Sequence, residues 1–306
     1  MSDGQPRHAV RDPRPIRFAL PIGVVATAIA SLVTLMGLLP ISRAELPQPA
    51  AALALPDVEV DETRAANPCA DAAVQQALAD GDDAAAVAAF GGGEQFRAAV
   101  TVGNAPCIAL DDPAHAWVVV NKLRPLAPQD YAPASLTRVA LRATTPSNRL
   151  RPEVVDALHG MADAALAAGA GTLGINNGYR SYRVQQLTYS SHVRARGQER
   201  ADAGSARPGY SEHQTGLAID VIACSSGCTG LDAFGATPQG RWVAEHAWEY
   251  GFIVRYEDGE TGTTGYFAEP WHLRYIGPEL AAAYHGGGFH TLEQFFGLPA
   301  ASDYAH

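Results

Sequence analysis

The chain has 306 residues, 47% hydrophobic and 18% charged, a composition that belongs to a folded globular protein and excludes disorder of the whole. Lys and Arg number 22 against 32 Asp and Glu, a formal net charge of −10. A nucleic-acid surface needs clustered cations and is excluded too.

The first element is an apolar run, Phe18 to Ile41, with no charge in 24 residues. At about 1.5 Å per helical residue it is long enough to cross a hydrocarbon core of about 30 Å. Arg7, Arg11, Arg14 and Arg17 precede it, which places residues 1–17 as a cytoplasmic tail and sends the rest of the chain outward. The expectation is a single-pass protein of the cell membrane, anchored by residues 18–41, with the part that follows the anchor extracytoplasmic. The alternative is a secreted protein whose signal peptide is cut near Ser42 to Ala44, but the run exceeds the roughly 7 to 15 residues of an ordinary signal core. Residues 42–67, rich in Ala, Pro and acids, read as an extended linker.

Residues 68–115 read as a small helical accessory region, two or three Ala-rich helices broken by "GDD" and "GGGE". Cys69 and Cys107 flank it, while Cys224 and Cys228 enclose a three-residue loop, so the pairings Cys69–Cys107 and Cys224–Cys228 are expected in an oxidising exterior. A CxxxC metal site is the rival for the close pair; no second Cys or His pair lies nearby to complete it.

From residue 116 to about 300 short strands and helices are mixed. "WVVVN", Trp117 to Asn121, reads as a strand, and Pro152 to Ala168 as a helix with Pro at its start and Gly169 at its end. "TLGINNGYR" is a strand entering a turn, and Ser181 caps a helix through about Arg196. The polar segment Gly197 to Gly209 reads as a mobile loop. "GLAIDVIA" is a strand with Leu217, Ile219 and Val221 on one face and Ala218, Asp220 and Ile222 on the other. Gln239 to Tyr250 reads as an amphipathic helix stopped by Gly251, "FIVRY" and "WHLRYIG" as strands, and Pro278 to Tyr284 as a closing helix. The expected fold class is α+β, a small antiparallel β-sheet flanked by helices and preceded by the transmembrane and accessory segments.

Asp220 is the residue that points to chemistry. A carboxylate within an apolar strand costs several kcal/mol unless it is compensated, and a metal ion can do that. His213 precedes it by seven residues in "SEHQTGLAID", and "EPWH" offers His272 with Glu269 three residues before it. Two histidines and an aspartate would hold Zn2+ with a position left for water, and Glu269 would serve as the base that takes a proton from that water.

In the order "GYRSYRVQQ", "SEHQTGLAIDV", "EPWHLRYIG", the sequence resembles the VanY-type zinc D-alanyl-D-alanine carboxypeptidases, over about Trp117 to Gly277. The resemblance implies that His213, Asp220 and His272 are zinc ligands and Glu269 the catalytic base. It implies that Arg180 stabilises oxygen charge or grips a carboxylate, and that Ser211 and Gln185 contact substrate. The bottom-up chemistry agrees for Arg180, since a guanidinium is a planar, bidentate partner for a terminal carboxylate. The expected partners are peptidoglycan stem peptides and the membrane, with no nucleic acid, and the chain is read as a monomer. The expected activity is removal of the terminal D-Ala; an L,D-carboxypeptidase or an endopeptidase on stem peptides is the alternative within this chemistry. Outside it stands a non-catalytic, zinc-stabilised peptidoglycan-binding module, which would have no need of Glu269. His192, His246, His285, His290 and His306 are left out of the site.

Overall fold

The computed structural model of the protein describes residues 67–305. The expected tail and anchor, and the linker up to residue 66, lie outside the described residues. Among the described residues no helix is long and apolar enough to cross a membrane.

The helices are α1 (Ala72–Asp80), α2 (Asp83–Ala89), α3 (Gly93–Thr101), α4 (Pro152–Ala167), α5 (Tyr182–Arg196), α6 (Gln198–Gly204), α7 (Pro238–His246), α8 (Thr261–Thr264), α9 (Pro278–Gly286) and α10 (Leu292–Phe295). The strands are β1 (Thr137–Arg138), β2 (Arg142–Ala143), β3 (Arg149–Leu150), β4 (Thr172–Asn177), β5 (Ala218–Cys224), β6 (Phe252–Val254) and β7 (His272–Tyr275). The main sheet has the order β2-β4-β5-β7-β6, and β1 pairs with β3 in a separate two-stranded ribbon.

Three of the four strand pairings in the main sheet are antiparallel, as expected, but β2 is parallel to β4. The difference follows from connectivity. Between β2 and β4 the chain passes through β3 and the 16-residue helix α4, and a crossover of that length returns a strand in the same direction.

Helix α4 starts where Pro152 fits the first helical position and covers one face of the sheet with Val154, Val155, Leu158, Met161 and Ala165. Against it lie Leu173 and Ile175 of β4 and Leu217, Ile219, Val221 and Ala223 along β5, so the period-2 reading of β5 holds and Asp220 points to the opposite face. A second core gathers Val74, Val87 and Phe96 from α1 to α3 with Ile276, Leu280 and Phe295 near α9 and α10. Gly93 permits this contact, because a Cβ there would stand 2.2 Å from the Glu279 carbonyl oxygen. Cys69 and Cys107 are bonded, as are Cys224 and Cys228.

Two expected elements differ. Trp117 to Asn121 is not a sheet strand: Trp117 lies in a turn, and the segment's one bridge is the local pair Asn121 with Arg124. Its alternation is nonetheless real, since Val118 and Val120 enter the sheet core while Trp117 and Val119 enter the second core. Side chains take carbonyl groups here: the Arg274 guanidinium donates to the Val118 oxygen at 2.6 Å and to that of Ala116, just before the segment, at 2.9 Å, and Arg124 Nε donates to the Val119 oxygen at 3.3 Å.

The segment 197–209 is not a loop throughout, because α6 occupies Gln198 to Gly204. A polar centre holds it. Asp202 accepts from Tyr189 Oη at 2.6 Å and from Arg207 Nε and a terminal guanidinium nitrogen at 3.0 and 2.8 Å, and Arg207 lies 4.0 Å over the Tyr304 ring. The expected helix over 239–250 ends at His246 and continues as a 3-10 turn from Ala247 to Tyr250, with Gly251 in the left-handed region at φ 83°.

Candidate metal centre and active-site cleft

The cluster is assembled by one turn and two strands. His213 sits in a 3-10 turn, Glu212 to Thr215, which Gly216 closes at φ 72° so that the chain can reverse into β5. In β5, Asp220 is in direct antiparallel register with His272 of β7, which sets the two side chains side by side on the same face. On its other side Asp220 is paired with Asn177, after a register shift in β4, and Asn177 Nδ2 donates to Asp220 Oδ2 at 3.0 Å.

Asp220 Oδ2 is 3.4 Å from His213 Nε2, and Asp220 Oδ1 is 3.2 Å from His272 Nδ1. Ligand atoms of all three residues lie within 4.8 Å of one another, and all three side chains are buried. The remaining ring nitrogens are already engaged: His213 Nδ1 with the Gly178 carbonyl oxygen at 2.8 Å and His272 Nε2 with Glu212 Oε2 at 3.3 Å. Asp220 Oδ1 is buried and makes no hydrogen bond. One imidazole nitrogen beside each oxygen of a carboxylate, with Oδ1 unsatisfied, suits a divalent cation of zinc type.

Glu269 stands beside this group, Oε2 3.7 Å from His272 Nδ1, its backbone tied to the Tyr256 carbonyl oxygen at 2.9 Å. Burial pushes its carboxyl up to about 7, with Asp220 adding to the effect and His272 and Arg180 opposing it. Burial also works against ionisation of Asp220, but His213 and His272 outweigh it and hold the carboxyl well below its ordinary value. The two histidines separate. Burial lowers His213, whereas in His272 burial is overcome by the neighbouring Asp220 and Glu212 carboxylates, which raise it to about 9.

The cluster opens into a cleft of about 280 Å³ that Arg180, Ser211 and Glu269 also line. The Arg180 backbone N–H donates to the His213 carbonyl oxygen at 3.2 Å, and its buried Nε has no hydrogen-bond partner in the protein. Gln185 is elsewhere: it is 1% exposed and sits behind the wall, Nε2 donating to the Ala206 carbonyl oxygen at 2.6 Å. It thus braces the 205–206 segment that faces the cleft. His192, left out on sequence grounds, does line the cleft from α5 together with Arg196, and Trp271, just before β7, lines it too. His246 and His290 are instead paired with Glu249 and Glu257, and His285 stacks on Trp248.

Glu212 has no assigned role in the sequence reading, yet it is fully buried and joins His272 to Arg255 and Arg274. Burial opposes its ionisation and the two guanidinium groups more than offset that, leaving it ionised. The available signal was a second charged residue in an otherwise buried motif.

Fold and site together define an α+β domain built around a buried two-histidine, one-aspartate centre with a carboxylate beside it. Residues 147–278 match the family model described as VanY, D-alanyl-D-alanine carboxypeptidase. The putative carboxypeptidase YodJ of Bacillus subtilis (strain 168) is 38% identical over 191 residues, 61% of this chain and 69% of that protein. A D-alanyl-D-alanine carboxypeptidase of Enterococcus faecium is 37% identical over 143 residues, 47% of this chain and 42% of its own length. The solved LdcB LD-carboxypeptidase shares 38% identity at a TM-score of 0.56, covering 60% of this chain and 87% of that one. The chain belongs to the VanY D-alanyl-D-alanine carboxypeptidase family.

Proposed function

We propose that the protein is a zinc-dependent D-alanyl-D-alanine carboxypeptidase that removes the terminal D-Ala from peptidoglycan stem peptides. The observation that carries this reading is Glu269: a buried carboxylate with a pKa pushed up to about 7, 3.7 Å from a His–Asp–His cluster at the floor of a cleft. A binding module would have no use for such a group.

His213 Nε2, Asp220 and His272 Nδ1 would hold the metal, which when bound supplies a Lewis acid for the scissile carbonyl and for the attacking water. Glu269 takes the proton from that water and returns it to the leaving amine, for which a carboxyl titrating near the working pH is suited. Arg180, with its Nε unpaired, offers donors to the terminal carboxylate or to developing oxygen charge. Ser211, buried at the cleft wall, adds a short-range hydroxyl.

The similarity to the LdcB LD-carboxypeptidase favours a second reading, removal of D-Ala from tetrapeptide stems, because the zinc and carboxylate contacts do not depend on the stereochemistry of the preceding residue. The location we propose is the outer face of the cell membrane, with residues 18–41 as the anchor. The uncharged run, the arginines before it and the two disulfides support it.

Mass spectrometry of products from defined stem peptides tests the activity. Release of D-Ala from pentapeptide supports the first reading, release from tetrapeptide alone the second, and wall binding with zinc but no released amino acid would refute both. The Glu269→Gln protein is expected to retain zinc while kcat falls by about 10²–10⁴-fold.

A further inference from the structure

We propose that Glu212 is a positioning residue of the metal centre: its carboxylate accepts the Nε2–H of His272 and so selects the tautomer whose Nδ1 lone pair faces Asp220. The inference rests on the zinc-site reading above, and it concerns a side chain to which that reading gives no task.

The geometry is one-directional. Glu212 Oε1 accepts from Arg255 Nε and from a terminal nitrogen of Arg274, both at 2.9 Å, so that oxygen is clamped by two guanidinium groups. The carboxylate cannot rotate, and its second oxygen is left 3.3 Å from His272 Nε2. The clamp is itself fixed, because Arg255 is also paired with Glu293 at 2.8 and 3.1 Å, Glu293 accepts from Asn121 at 2.9 Å, and Arg274 is held by two carbonyl oxygens of the 116–118 segment. Glu212, Glu293, Arg255 and Arg274 are almost wholly buried, and their formal charges cancel.

A neutral imidazole carries its single proton on one nitrogen or the other, and only the unprotonated one can bind a metal. An acceptor at Nε2 keeps the proton there. The 3-10 turn that presents His213 therefore orients the second histidine as well, through the residue just before it. A role confined to neutralising the arginines would not require Oε2 to face His272.

Replacement by glutamine makes the two roles separable. The two arginines can only donate, so they would retain the amide oxygen and turn the NH2 group toward His272 Nε2. That favours the proton on Nδ1, where the metal must bind. Zinc affinity of the full-length protein, measured by competition with a chromophoric chelator, is expected to fall about 10–100-fold in Glu212→Gln. At saturating zinc, kcat should fall with KM little changed. If that variant does not fold, Glu212→Asp keeps the charge opposite the arginines while withdrawing the carboxylate from His272, and the same loss of affinity is expected. Long-range 1H–15N NMR of the zinc-loaded wild type needs neither variant and should show His272 protonated at Nε2. Zinc affinity within twofold of wild type in a folded variant, or a His272 proton absent from Nε2, would overturn the proposal. A wild type that binds no zinc would instead overturn the metal-site reading beneath it.

Discussion

Gly178→Ala is the most direct probe of how backbone packing supports the candidate centre. A Cβ at residue 178 would stand 2.6 Å from the Arg149 carbonyl oxygen and 3.3 Å from both Leu150 Cδ2 and the Ser147 carbonyl oxygen. Ordinary contact begins near 3.4 Å, so ~0.8 Å of displacement must be found. The obstructing atom is backbone and is already tied, since the Arg149 oxygen accepts from Tyr179 N at 2.7 Å. Overpacking of this kind costs about 1–3 kcal/mol, or roughly 2–4 °C in melting temperature per kcal/mol for a domain of this size. The functional cost is separate. The Gly178 carbonyl oxygen holds His213 Nδ1 at 2.8 Å, and a shift of ~0.8 Å would take that bond past its useful limit of about 3.2 Å. Zinc affinity is then expected to fall about tenfold or more. Thermal melting of the metal-free protein and chelator competition read the two effects independently. Gly262→Ala is the control, because a Cβ there meets nothing within 4 Å. If Gly178→Ala melts and binds zinc as the wild type does, the argument that this carbonyl positions His213 is wrong.

Two further outcomes follow from the same geometry. Burial works against a charged His272, but Asp220 and Glu212 raise it to about 9, so at neutral pH an incoming metal must displace its proton, whereas His213, lowered by burial, is already neutral. Zinc affinity should therefore rise up to about tenfold per pH unit below 9; a flat profile from pH 6 to 8 in calorimetry would refute it. The loop-closure relation gives about 4 kcal/mol for the Cys69–Cys107 bond, 38 residues apart, against about 2 kcal/mol for Cys224–Cys228, four apart. The paired Cys→Ser variants should differ in urea midpoint in that order, and equal or reversed losses would contradict it.

Much of the catalytic domain was legible because its signals are local. Pro152 at the head of α4, the Ser181 cap of α5 and the alternation along β5 each operate within a few residues, and the elements formed where those signals lie. Trp117 to Asn121 alternates without being a strand for a physical reason: period-2 alternation reports two-sided burial, not a hydrogen-bond partner, and here the two sides are separate cores while Arg274 and Arg124 take the Val118 and Val119 carbonyl groups. Helix α6 carries little local signal because what stabilises it is the Asp202 cluster, which joins Arg207 of the same segment to Tyr189 and Tyr304 from other parts of the chain. Gln185 carried a family position in the sequence, but its burial behind the 205–206 segment is a property of packing.

The sequence by itself determined the chemical inventory of this protein: an aspartate too costly to bury alone, two histidines and a glutamate in motifs of one family, and cysteines spaced to pair. The tertiary structure alone decided how they meet. Asp220 and His272 are 52 residues apart in the chain and become neighbours through antiparallel register, which no local pattern encodes. The same holds for Glu212, whose partners Arg255, Arg274 and Glu293 come from distant segments. An isolated charge in a sequence shows only that it must be compensated; which groups compensate it is settled when the chain brings them within 3 to 4 Å.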